Sequence, residues 1–253
     1  MCWKRIVEWF KPDPVTPVKR RALLFGINNY PGSANDLDGC LNDIDDTEKK
    51  LAAMGFVCSV FKDSEVTCYT FYNEVKAALL SMRPDDFLYI GYSGHGTTIR
   101  SNHEPDGYCE ALYLFDGPFT DDRMMELQQM TPVAAIVNAK FDSCFSGGMA
   151  KNPVKNRFYQ MPGVPKVRKK VRRIAKSESQ WVIFAGCGEG QTSADATFNG
   201  RPNGAFTFYD LKCFGLGISF TDEITKIKTH LPGHGFDQAP ELLGKEALFT
   251  KKY

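Results

Sequence analysis

The chain has 253 residues, a formal net charge of +1, 43% hydrophobic and 24% charged residues, and eight cysteines. Those values suit one large α/β domain, or two small ones, able to bury a core without metals or disulfides. The net charge argues for neither a nucleic acid nor a membrane as partner, and neither is expected. No apolar run reaches the ~18–20 residues that cross a bilayer, and no CxxC spacing suggests a zinc ribbon. Without a signal peptide, a reducing cytoplasm is the expected location.

MCWKRIVEWF alternates aromatic and charged residues, and PDPVTP then breaks the chain. Residues 1–20 therefore read as an N-terminal extension, frayed or docked rather than membrane-bound. RALLFGIN (21–28) is a continuous apolar run, as in a strand buried on both faces, and a turn-rich loop follows. Leu41, Ile44, Leu51 and Met54 then recur at helical spacing, with Gly55 as a stop. VCSVFKD (57–63) reads as a second strand and residues 68–82 as a second helix ended by Pro84. DFLYIGYSGHG (86–96) is a third strand running into a glycine-rich loop. EALYLFDG (110–117) suits a hairpin arm, and residues 120–130 a helix with Thr120 as N-cap. VAAIVNAKFDSC (133–144) is a fourth strand.

Residues 150–179 read as a mobile loop, within which 166–176 carry seven basic residues. WVIFAGC (181–187) restarts the core as a fifth strand. Residues 204–214 and 221–231 read as helices, and EALFT (246–250) as a late strand. Alternating strands and helices predict a mostly parallel sheet with helices on both faces. Residues 21–253 then form one domain. In such sheets the ligand crevice lies beyond the carboxyl ends of the strands. His95 and Cys144 both fall there, 49 residues apart.

A thiol attacks a carbonyl as thiolate, so a neighbouring imidazole would activate Cys144 and then protonate the leaving amine. Glycines flank His95 and follow Cys144. They let substrate backbone approach and leave N–H groups, such as that of Gly96, free for an oxyanion. His230 and His234 have Pro232 and Gly233 between them and do not share a helical face. No Walker or GxGxxG loop follows the first strand, which argues against a nucleotide-binding domain.

YSGHGT, DSCFSGG, GINNYP, LDGCLNDID, DGYCEALY, DDRMMEL, QTSADA, NGAFT and QAPEL together resemble the caspase-type cysteine peptidases, specifically the metacaspase and orthocaspase branch of peptidase family C14. The resemblance runs from about Arg21 to the C-terminus. It implies a caspase-like three-layer α/β/α sandwich, a His95–Cys144 dyad and protein substrates. It also implies that Asp142 faces the S1 pocket, lined further by Cys40, Asp43 and Ser93. Two carboxylates there would select Arg or Lys at P1 and reject an acidic residue.

An enzyme of that preference would find substrate in its own basic run, so self-cleavage near residues 168–173 is expected. Many metacaspases are activated by calcium through acidic residues after the histidine. Asp106, Asp121 and Asp122 are the candidate ligands, with Glu110 and Asp116 nearby, although Cys109 replaces an acidic residue of the family pattern DGxDE. No cofactor is needed for the chemistry itself. The resemblance also implies a monomer. The alternatives are a silent caspase-like interaction module and a clan relative preferring Asn at P1.

Overall fold

Continuous apolar runs become interior strands because residues facing both ways must be covered. In the computed structural model, which describes residues 19–102, 107–144, 155–164, 181–187, 193–233 and 235–253, four such runs lie side by side. In chain order the elements are β1 (Arg20–Gly26), α1 (Cys40–Ala53), β2 (Val57–Lys62), α2 (Cys68–Leu80) and β3 (Phe87–Ser93). Next come β4 (Gly96–Arg100), β5 (Tyr108–Leu114), β6 (Gly117–Thr120), α3 (Asp121–Gln129) and β7 (Ile136–Asp142). The last are β8 (Lys155–Asn156), β9 (Trp181–Ala185), β10 (Ala194–Phe198), β11 (Arg201–Gly204), α4 (Ala205–Cys213), α5 (Phe220–Gly233) and β12 (Glu241–Gly244).

The main sheet runs β12-β9-β7-β3-β1-β2, parallel except for β12. Alternation along each strand sorts side chains onto two faces. Leu23, Phe25, Leu88, Ile90, Val137 and Ala139 join α2 and α3 on one face. Ala22, Leu24, Tyr89, Val182 and Phe184 join α1, α4 and α5 on the other. This is an α/β/α sandwich with two cores. No helix among the described residues is long and apolar enough to cross a membrane.

Three features depart from the sequence reading. Residues 246–250 are not a strand: Glu246–Leu248 form a 3-10 turn, and the late strand is β12. Leu248 and Phe249 both pack on the α1/α4/α5 core, whereas strand geometry would send neighbours to opposite faces. Two small sheets, β4-β5-β6 and β11-β10-β8, stand beside the main one. Part of the stretch expected as a mobile loop is built into the fold: β8 pairs with β10, and Arg157 is fully buried. Three neighbouring carboxylates compensate its charge. The basic run 166–176 and the N-terminal decapeptide lie outside the described residues.

On the α1/α4/α5 face, Lys140 of β7 is buried among Tyr89, Phe184, Phe214 and Tyr253, with its ammonium 4.1 Å from the Phe214 ring centre. It is paired with Asp210 at 2.7 Å and with Glu223.

Candidate functional site

β3 and β7 are direct neighbours in parallel register, with Ser93 opposite Asp142. Their last residues therefore point to the same face, the one covered by α1. α1 buries Cys40, Asp43, Ile44, Thr47 and Leu51, a spacing that puts Cys40 and Asp43 on its inner side. Strand parity and helix period thus bring Ser93, Asp43 and Asp142 to one point, where the Ser93 hydroxyl donates to Asp43 at 2.7 Å. Cys40 is buried beside Ser93, and burial raises its thiol pKa.

Past β3 the chain turns through Gly94, His95 and Gly96. Past β7 it passes through Ser143 and Cys144. The two exits touch: a Cβ at Gly96 would stand 2.1 Å from the Cys144 carbonyl oxygen. Only glycine permits that approach.

His95 is 4% exposed. Its backbone N–H donates to the Tyr30 hydroxyl at 2.8 Å, and the Tyr30 ring lies 4.8 Å away. Its Nε2 is 2.7 Å from the Asn35 carbonyl oxygen. A carbonyl only accepts, so Nε2 carries the proton and Nδ1 keeps its lone pair. Nδ1 has no partner among the described residues. Burial holds the imidazole below its ordinary pKa, against the pull of the Asn35 carbonyl.

Cys144 is fully buried. Its Sγ accepts from the Ser193 N–H and lies 3.6 Å from the Ser193 carbonyl oxygen. Burial raises its pKa well above the usual thiol value, reinforced by Cys187 alongside. Burial therefore favours a neutral thiol at Cys144 and a neutral imidazole at His95.

Arg157 occupies the centre of the constellation. Its Nη2 donates to Asp43 at 2.8 Å and to Asp195 at 3.0 Å. Its Nη1 donates to the Ser93 hydroxyl at 2.7 Å and sits 3.2 Å from the Asp142 carboxylate. Each carboxylate is also held from behind. Asp142 accepts from the Thr207 N–H at 3.0 Å, the Thr207 hydroxyl at 2.7 Å and the Ser193 hydroxyl. Asp43 accepts from the Gly204 N–H and Asn203. Asp195 accepts from the N–H groups of Asp38 and Gly39. Such bracing fixes the oxygens where a fork of guanidinium donors meets them.

Burial raises the Asp43 carboxyl to about 7, the Arg157 charge limiting the rise. Asp195 is held below its usual value, the Arg157 charge and backbone N–H bonds outweighing burial. Gly204 is required here: a Cβ would lie 2.1 Å from Asp142 Oδ2.

The Arg157 backbone is as closely held. Its carbonyl oxygen accepts from the N–H groups of Gly96 at 2.9 Å and Cys144 at 3.2 Å, and its N–H donates to the Ser193 carbonyl at 3.3 Å.

All of Cys40, Asp43, Ser93, His95, Gly96, Asp142 and Cys144 therefore gather at one end of the sheet. Ser193, Asp195 and Arg157 belong with them, although the sequence reading does not name them as site residues. The signal for two of them is QTSADA, which holds Ser193 and Asp195 just beyond the fifth apolar strand.

Of the three calcium candidates, Asp121 and Asp122 lie among the described residues. Asp121 is buried at the start of α3, where its carboxylate accepts from the Cys109 thiol at 2.7 Å. Asp122 is exposed, and Asp106 lies outside the described residues. Among the described residues no three His, Cys, Asp or Glu side chains come together for a metal.

A family model described as the caspase domain, peptidase C14, matches residues 19–247, so the chain belongs to that family. It is 27% identical to Metacaspase-5 of Trypanosoma cruzi over 94% of this chain and 60% of that protein. It is also 27% identical to Metacaspase-1 of Schizosaccharomyces pombe over 75% of this chain and 58% of that one. The chain thus spans little more than half the length of these curated relatives. Among solved structures it resembles protein GSU0716 from Geobacter sulfurreducens, with a TM-score of 0.74, 26% identity, and coverage of 92% of this chain and 97% of that one. It shares its fold with Caspase-1 from Spodoptera frugiperda, with a TM-score of 0.61 at 16% identity, covering 92% and 93%.

Proposed function

We propose that this caspase-domain chain is a cysteine endopeptidase that cleaves after Arg or Lys. One observation carries the reading. Three braced, buried carboxylates and a serine hydroxyl converge on a guanidinium whose own carbonyl rests on the N–H groups of Gly96 and Cys144.

Cys144 is the nucleophile in this reading. His95 Nδ1 takes the thiol proton, and Nε2 stays anchored on Asn35. The thiolate adds to the P1 carbonyl carbon, and the oxyanion is stabilised by the Gly96 and Cys144 N–H groups. Collapse breaks the C–N bond, and the amine leaves with the proton from His95. Water then hydrolyses the thioester, again through His95.

The P1 side chain is read by Asp43, Asp142, Asp195 and Ser93. Arg is preferred over Lys because its planar fork serves two carboxylates at once. An acidic P1 meets repulsion. No step is routed through calcium, and the enzyme acts as a monomer on extended polypeptide.

The test is a panel of fluorogenic peptides with Arg, Lys, Asp or Asn at P1, with wild type, Cys144→Ala and His95→Ala, each in calcium and in chelator. The reading expects Arg and Lys cleavage lost in both variants and unchanged in chelator. Cleavage after Asp or Asn overturns the pocket assignment. Arg cleavage surviving in Cys144→Ala overturns the nucleophile.

A further inference from the structure

Arg157 is not placed as a structural arginine would be. Its side chain, its carbonyl and its N–H are each held as a peptidase would hold a P1 residue. The side chain fills the acidic pocket and is 0% exposed. The carbonyl oxygen sits between the two N–H groups beside Cys144, and the N–H is fixed on the Ser193 carbonyl.

The flanking residues extend the pattern. Before Arg157, Asn156 and Lys155 pair antiparallel with Ala194 and Asp195, as an added strand does when a peptide binds a sheet edge. After it, the Tyr159 N–H donates to the Gly96 carbonyl at 2.8 Å, and the Thr97 hydroxyl donates to the Tyr159 carbonyl at 2.7 Å. The Tyr159 ring stacks on Tyr113 with centres 3.8 Å apart. The Arg157–Phe158 bond is thus pinned on both sides, next to Cys144.

From this geometry we infer that residues 155–159 are a built-in substrate, with Arg157 as P1, and that the chain's self-processing site is the Arg157–Phe158 bond rather than the basic run 166–176. The inference rests on the peptidase reading above.

Until the bond is cut, the segment fills the pocket that other substrates need. For the cut, the Cys144 thiol leaves Ser193 and gives its proton to His95 Nδ1. The new C–S bond forms at the Arg157 carbonyl carbon, and the bond to the Phe158 nitrogen breaks. That nitrogen leaves as an amine with the proton from His95. Water then cleaves the thioester, returning the thiol and leaving Arg157 as a new C-terminal carboxylate. No other reactant is needed.

The test is intact-mass analysis and N-terminal sequencing of purified full-length chain during incubation. Peptide hydrolysis with Arg at P1 is measured on the same samples. Wild type is expected to give fragments 1–157 and 158–253, the second beginning at Phe158. The rate should not change over a tenfold dilution, because the bond is already docked in its own molecule. Cys144→Ala and Arg157→Gln should stay whole at this bond. Arg157→Lys, which keeps a cation in the pocket, should still be cut there.

Wild type that hydrolyses the Arg peptide while its 157–158 bond stays intact overturns this inference and leaves the peptidase reading standing. So does cutting confined to 166–176, or a rate that falls in proportion to dilution. Wild type that neither cuts itself nor hydrolyses the Arg peptide overturns both.

Discussion

Replacing Arg157 with alanine, in a Cys144→Ala background that keeps the chain whole, removes the cation that three buried carboxylates share. Its ion pairs with Asp43 at 2.8 Å, Asp195 at 3.0 Å and Asp142 at 3.2 Å all disappear. Removing one partner of a buried ion pair costs about 3–5 kcal/mol, because the remaining charge stays desolvated. At roughly 2–4 °C per kcal/mol for a domain of this size, the melting temperature should fall by about 10 °C at pH 8.

The loss should shrink as the pH falls. The folded Asp43 carboxyl, raised by burial, holds a proton that the unfolded chain has released, so stability falls as pH rises through that range. Asp43, at about 7 even with the arginine present, leads the effect. Thermal melts from pH 5 to 8 read it directly. Agmatine, a guanidinium on an alkyl stem, should restore about 2.7 kcal/mol at a hundred times its dissociation constant. Citrulline amide, whose urea head has a similar shape and no charge, should not. A melting temperature within 2 °C of the parent at pH 8, roughly the effect of a single kcal/mol, or equal rescue by both compounds, would refute the reasoning.

Three further outcomes follow from the geometry. Lys140→Met should cost about 3–5 kcal/mol in urea unfolding, since Asp210 and Glu223 would be left buried without their cation; a change below about 1 kcal/mol contradicts the pairing. Burial depresses the His95 pKa in the folded state, so the folded chain binds fewer protons than the unfolded one as pH rises toward 6.5. Stability should therefore climb over that interval, and His95→Gln should flatten the slope. Gly96→Ala puts a Cβ 2.1 Å from the Cys144 carbonyl oxygen and must displace a donor of the proposed oxyanion site. Its kcat/KM for an Arg peptide should fall on the order of 100-fold, with the melting temperature read alongside.

Much of this arrangement is legible in the amino-acid sequence. The strands are readable because each is a continuous apolar run, and the site because strand ends in a parallel sheet converge. Ser93, His95, Asp142 and Cys144 all sit at the exits of β3 and β7, and Asp43 is one helical turn from the start of α1.

Arg157 is not legible in that way. Its segment, KNRFYQ, has no apolar alternation and lies in a stretch whose composition reads as loop. Its burial depends on partners 114 residues away at Asp43 and 38 away at Asp195, which no local pattern encodes. The small sheets escape for the same reason: β10 and β11 are five and four residues long, and β11 carries Pro202, Asn203 and Gly204. EALFT misleads because its apolar residues serve a turn equally well.

The most direct measurement of the central claim is the ratio of kcat/KM for two peptides that differ only at P1, one with Arg and one with citrulline. The two side chains match in shape and differ in charge. Wild type should favour Arg on the order of 100-fold or more, the usual scale for a buried charge pair at an interface. Asp142→Asn should reduce that ratio by roughly tenfold or more, on the same scale. Equal rates on the two peptides, or a ratio untouched by Asp142→Asn, would contradict an acidic pocket that reads the charge of its substrate.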